Sequence, residues 1–227
     1  MKKGKLYGVS IGPGEPELIT IKAYKTIISC EYIAVPNEIK TNAVSYNIAL
    51  SVIPELDKKP CLTIPMPMTK DTKLLSESHR KACETISKVL DAGNNIAFLT
   101  LGDVSIYSTY MYIHKLINDS GYETEIISGV PSFCAVSALI NKELVLGSDM
   151  LHIIPSSYDI NDALKYPGTK VLMKSGKQLK TVKEHLNDSN MDITMVENCG
   201  MSDEHIYYNV EDIPDNSSYY SIFIIKD

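Results

Sequence analysis

Three short segments of this 227-residue chain bring glycine, hydroxyl and carboxylate groups together at spacings that hold a small polar ligand. The first is Gly8-Val9-Ser10-Ile11-Gly12-Pro13-Gly14-Glu15-Pro16-Glu17-Leu18-Ile19-Thr20, where an apolar run ends in a Gly-Pro-Gly corner. The second is Thr100-Leu101-Gly102-Asp103-Val104-Ser105-Ile106-Tyr107-Ser108-Thr109-Tyr110, and the third is Ser128-Gly129-Val130-Pro131-Ser132-Phe133. Glycine lets a backbone approach a ligand closely, and the N–H groups at a helix start favour carboxylates or phosphates. Asp103 adds an acceptor for an ammonium group, so the mixture suits a zwitterionic ligand; a turn or cap residue is the alternative role for it. The first corner is neither of the common nucleotide loops. G-x-G-x-x-G would need glycine where Glu17 stands, and a P-loop needs G-K-[ST].

Candidate side chains for moving a proton are Tyr107, Tyr110 and Glu197, and both tyrosines could equally be core-facing helix residues. His79, His114, His152, His185 and His205 have no partner at a telling spacing. The five cysteines are widely spaced with no C-x-x-C, which points to reduced thiols in the cytoplasm and to no protein-bound metal. A net charge of −6, with Arg80 as the sole arginine, argues against a nucleic-acid partner. A polyanionic ligand would be held by lysines and backbone N–H groups. Lys174, Lys177, Lys180 and Lys183 could meet such a ligand or form a solvated face, with Lys174 the best placed. No apolar run reaches the 18 residues of a membrane span, and residues 6–11 are too short for a secretion signal.

Strand and helix patterns alternate. Strands are predicted over residues 6–11, 32–35, 96–101, 124–127, 151–155, 170–173 and 193–197, with an extended, proline-punctuated edge at 60–67. Helices are predicted over 17–29, 43–52, 72–91, 133–140, 162–165 and 178–186, and one capped by Ser105 runs to about residue 118. Residues 206–210 and 219–225 read as a closing antiparallel pair. The pattern predicts an α/β protein of two α/β domains, 1–120 and 121–227, the first more helical and more parallel.

Taken together, residues 10–20, the G-D-x-x-x-Y-S-T-Y run at 102–110 and the G-V-x-S-F-C-A run at 129–135 resemble the tetrapyrrole methylase family along the whole chain. The Tyr107-Ser108-Thr109-Tyr110-Met111-Tyr112 run resembles its branch that methylates C20 of the corrin precursor. The resemblance implies two α/β domains with a trough between them, non-Rossmann binding of S-adenosylmethionine (SAM), and a homodimer. Leu101, Gly102, Asp103 and Ile106 match the family's SAM loop, and Ser132 and Phe133 a second SAM contact. Met173 fits the adenine side, and Asn198 and Cys199 a further contact. Gly12, Pro13, Gly14, Tyr107 and Lys174 are the implied substrate contacts, with Pro13 facing the trough. Val104 departs from the pattern, since the family usually has proline there. The implied activity is transfer of a methyl from SAM to C20 of cobalt-factor II or precorrin-2 in cobalamin biosynthesis. Alternatives are the same fold acting on another ring carbon, RNA or diphthine, a non-catalytic tetrapyrrole carrier, and a nucleotide-phosphate enzyme.

Overall fold

The computed structural model describes residues 2–155, 158–174, 179–187 and 191–227, so Lys177 lies outside the described residues. The chain divides into two compact units, Met1–Pro131 and Ser132–Asp227.

The first unit is built on a parallel sheet of β1 (Leu6–Ser10), β2 (Tyr32–Val35), β3 (Cys61–Thr63), β4 (Ile96–Thr100) and β5 (Thr124–Ile127), in the order β3-β2-β4-β1-β5. Side chains alternate across its strands. Val9, Ile33, Val35, Ala97 and Leu99 therefore pack on one side with α1 (Ile21–Ser29) and α2 (Val44–Val52). Leu6, Ala34, Ile96 and Phe98 pack on the other with α3 (Thr72–Asp91) and α4 (Tyr110–Asp119). Each fully buried valine, leucine, isoleucine or phenylalanine among them contributes about 1.5–3 kcal/mol. The helices start where side chains satisfy their first N–H groups: Thr20 Oγ1 accepts from Ala23, and Asp71 from Lys73 and Leu74. Pro16 belongs to a separate 3-10 turn, Pro16–Leu18, so the helix predicted from residue 17 starts instead at Ile21.

Two expectations from the sequence are corrected in this unit. β5 pairs with β1, Leu6 opposite Thr124, so the strand expected to open the second domain closes the first sheet. The division between units accordingly falls after Pro131 rather than at residue 120. Residues 105–109 are not helical. Asp103 captures the Ser105 N–H and Tyr107 takes a left-handed φ of 48°, which stops a helix from forming before Tyr110.

The second unit holds α5 (Ser132–Leu139), α6 (Ile160–Ala163) and α7 (Leu179–Asn187). Its mixed sheet comprises β6 (Leu151–Pro155), β7 (Thr169–Met173), β8 (Asp192–Glu197), β9 (His205–Tyr207) and β10 (Ser221–Lys226), in the order β6-β7-β10-β8-β9. The expected pairing of the last two strands does not occur. β10 inserts antiparallel between β7 and β8, while β9 pairs with β8 at the edge. Phe223, Ile225, Met195 and Leu172 form its core with Val182 and Leu186 of α7. Lys170 is fully buried within β7, and its ammonium is paired with the half-exposed Asp227 carboxylate.

Candidate functional site

In a parallel sheet, loops at the C-terminal ends of neighbouring strands lie side by side, and that is where open α/β sheets bind ligands. In the first unit the loops after β1, β4 and β5 are tied to one another. Gly12 and Gly102 exchange backbone hydrogen bonds, Gly12 N to Gly102 O at 3.3 Å and Gly102 N to Gly12 O at 2.7 Å. Both have positive φ, 82° and 70°, which only glycine adopts without strain. A Cβ at Gly102 would meet nothing within 4 Å, so this backbone faces open space.

Asp103 joins the third loop. Its Oδ2 accepts from Gly129 N at 2.8 Å, and its Oδ1 accepts from Ser105 N at 2.8 Å and from the Ser105 hydroxyl. The carboxylate is buried, which alone would raise its pKa. The Ser105 and Gly129 hydrogen bonds outweigh that and hold it below the usual carboxylate range. Ser10, fully buried at the end of β1, completes the arrangement, its Oγ accepting from Val104 N at 2.9 Å. A proline at 104 would have no N–H to donate. A Cβ on Gly129 would come within 2.4 Å of Ser10 Cβ, so close packing also fixes the glycine of the third loop. Gly12, Pro13 and Gly14 are buried, Leu101 and Ile106 partly so, and Tyr107 is exposed.

One feature here was not signalled by the sequence. Thr100, the last residue of β4, is buried and its Oγ1 has no hydrogen-bond partner. This orphaned hydroxyl is enclosed at the root of the 101–103 loop, while the Gly102 backbone faces open space, which makes the loop a candidate ligand site.

The other candidates fall out differently. Tyr110 is 1% exposed, packed on Phe98 at 5.0 Å beneath Gly8, with its hydroxyl 3.2 Å from His114 Nδ1. Burial pushes its phenol well above the usual range, so it is a core residue rather than a proton acceptor. Glu197 is engaged by Ser218 N and, at 3.4 Å, by the Tyr207 hydroxyl. In the second unit Ser132 starts α5 and Phe133 is buried. Met173, Asn198 and Cys199 are buried at the ends of β7 and β8, the Asn198 amide donating to Asp203 Oδ2 at 2.8 Å. Lys174 follows Met173 with its Nζ 5.7 Å from the Tyr219 ring centroid. Among the described residues, no group of three His, Cys, Asp or Glu side chains is placed to hold a metal ion. No helix of the described residues is long and apolar enough to cross a membrane.

A cleft of about 510 Å³ lies elsewhere in the first unit, between residues 36–38, the 63–67 segment and α3. Glu38 and Glu77 line it, and its one cation, Lys81, is paired with Glu77 at 2.7 Å. That charge balance disfavours a polycarboxylate, and none of the candidate residues lines it.

Known proteins resemble the chain in sequence and in fold. A probable cobalt-precorrin-2 C(20)-methyltransferase of Methanocaldococcus jannaschii is 30% identical over 226 residues, covering 98% of this chain and 96% of its own. A cobalt-precorrin-2 C(20)-methyltransferase of Salmonella typhimurium is 29% identical, covering 75% of this chain and 73% of its own. Among solved structures, a cobalt precorrin-4 methyltransferase superposes with a TM-score of 0.76 at 20% identity, covering 98% of this chain and 94% of its own. A uroporphyrin-III C-methyltransferase of Thermus thermophilus, complexed with S-adenyl homocysteine, gives 0.72 at 17% identity, covering 99% and 98%. The profile of the Tetrapyrrole (Corrin/Porphyrin) Methylases matches residues 5–214, and with the bridged loops after β1, β4 and β5 in view, the chain belongs to that family.

Proposed function

We propose that the chain transfers the methyl group of SAM to C20 of a reduced tetrapyrrole in cobalamin biosynthesis, with cobalt-factor II preferred over metal-free precorrin-2. The observation that carries this reading is the end-to-end likeness to a relative named for C20 methylation, 30% identical over 98% of this chain. The bridged loops support the cofactor part. Asp103 sets the loop and Gly102 gives the ligand room.

Bound SAM supplies an electrophilic methyl on a sulfonium. The electron-rich meso carbon of a reduced tetrapyrrole is itself a nucleophile, so the protein needs no covalent nucleophile. Its work is to align carbon and methyl within about 3–3.5 Å and to exclude water. Tyr107 and Lys174 are the proposed substrate contacts, and the proton lost from C20 passes to solvent. The proposal further takes any cobalt to travel with the substrate, and the enzyme to act as a cytoplasmic homodimer without nucleic-acid partners.

The test is incubation of the protein with methyl-labelled SAM and either cobalt-factor II or precorrin-2, followed by mass analysis and NMR of the product. One added methyl at C20 is expected, with the higher kcat/KM on the cobalt-bearing substrate. Label at C2, C7, C11 or C17 would refute the regiochemistry.

A further inference from the structure

β1 is covered on both faces of the first sheet, and a parallel strand so placed is normally apolar along its length. Its last residue, Ser10, departs from that pattern while being fully buried. A hydroxyl taken out of water is costly without a hydrogen bond, and here it finds the N–H of Val104, 94 residues further along the chain.

Val104 occupies a particular place in the loop after β4. Ile106 N donates to Asp103 O at 3.1 Å, so residues 103–106 form a turn with Val104 in its second position. The N–H at that position takes no part in the turn's own hydrogen bond. Proline is favoured there because its ring presets φ. Valine has no ring to do so, and it is fully buried with its N–H. The Ser10 hydroxyl answers both needs. It accepts the N–H at 2.9 Å and so fixes the second turn residue from outside, as a proline ring would from within. The same turn carries Asp103, whose carboxylate accepts from Ser105 N and from Gly129 N, each at 2.8 Å. It also follows directly on Gly102, whose backbone faces open space. The end of β1 thereby sets where the Gly102-Asp103 backbone stands.

We propose that Ser10 is a positioning residue for the methyl donor, and that Ser10 and Val104 are a matched pair in which the β1 hydroxyl does the work of a proline in the turn. This rests on the reading of the cofactor as SAM and of the 101–103 loop as its contact. Matching has a consequence that independent contributions would not have. Ser10→Ala alone leaves the buried Val104 N–H without its acceptor and loosens the turn. Val104→Pro alone puts the ring Cδ where the N–H pointed, against Ser10 Oγ, and takes away the donor of that hydroxyl. The two changes together remove acceptor and donor at once, and the ring presets φ.

The experiment is calorimetric titration of the full chain with S-adenosylhomocysteine, for the unaltered protein, Ser10→Ala, Val104→Pro and the double variant. Thermal melts first establish which variants fold. Each single change should weaken binding about tenfold, and the double variant should bind within about threefold of the unaltered protein, a coupling that a double-mutant cycle reads directly. Ser10→Ala should also raise the KM for SAM about tenfold, which a hydroxyl serving stability alone would not do. If the unaltered protein does not bind the ligand, the SAM reading fails and takes the proposal with it. If it binds and folded Ser10→Ala binds equally well, only the positioning proposal fails. A double variant that binds no better than the weaker single variant overturns the matched pair. Where a single variant does not fold, the double variant decides: recovery of fold and affinity supports the pair, and failure to recover them overturns it.

Discussion

A single carboxylate ties the β4 loop to the β5 loop. Asp103 receives two N–H groups and a hydroxyl while buried, so its removal leaves donors unpaired as well as deleting an acceptor. Asp103→Asn should lower stability by about 1–3 kcal/mol, measured by denaturant unfolding, and weaken SAM binding in the same variant. The pH dependence follows from the direction of the shift. The folded pKa lies below the ordinary 3.8, so the stabilisation is complete above that value. It is lost as pH falls through the lowered folded value. Acid unfolding of the Asn variant should therefore be shallower than that of the unaltered protein. A second residue-scale test concerns Lys170, whose buried ammonium depends on Asp227. Removing one partner of a buried ion pair costs about 3–5 kcal/mol, and the half-exposed Asp227 brings this nearer 2. Asp227→Asn should lower the melting temperature, while Asp227→Glu recovers part of the loss.

At the scale of elements, β1 is shaped by what it must not carry. A Cβ on Gly8 would lie 2.1 Å from the Tyr110 ring, which is pinned by Phe98 and His114. Gly8→Ala should therefore destabilise the first unit by about 1–3 kcal/mol, and a second change, Tyr110→Leu, should restore part of it in a double-mutant cycle. Most strands were legible because their apolar runs are bounded by glycine and proline, as at residues 6–12 and 96–102. What escaped the sequence was long-range. Nothing local to residues 124–127 says that they join β1 rather than a new sheet. For β10 a signal existed, since Ile222-Phe223-Ile224-Ile225 is apolar on both faces, as a central strand must be. Of the candidate site, the glycine loops and Asp103 were readable from residue type. The unpaired Thr100 hydroxyl was not, because it is defined by the lack of a partner.

For the whole molecule, net charge sets the sign of the salt response. The chain carries −6, the proposed acceptor is a polycarboxylate, and SAM bears a net positive charge. Raising ionic strength from about 10 to 150 mM shortens the screening length from about 30 to 8 Å. This should leave unchanged or raise kcat/KM for the tetrapyrrole while raising KM for SAM; a steep fall for the tetrapyrrole would point to a lysine-rich funnel that the overall charge conceals. The exchanged hydrogen bonds between Gly12 and Gly102 bear on kinetics in another way. Loop tips usually close on a ligand after it arrives, and that ordering step slows capture. Here two tips already clasp each other and a third is held to them, so the search for a competent conformation is finished during folding. Cofactor capture should accordingly be a one-step encounter, with an observed rate linear in ligand concentration and no plateau in stopped-flow traces. The amides of Gly12 and Gly102 should exchange with deuterium as slowly as those of the strands they follow.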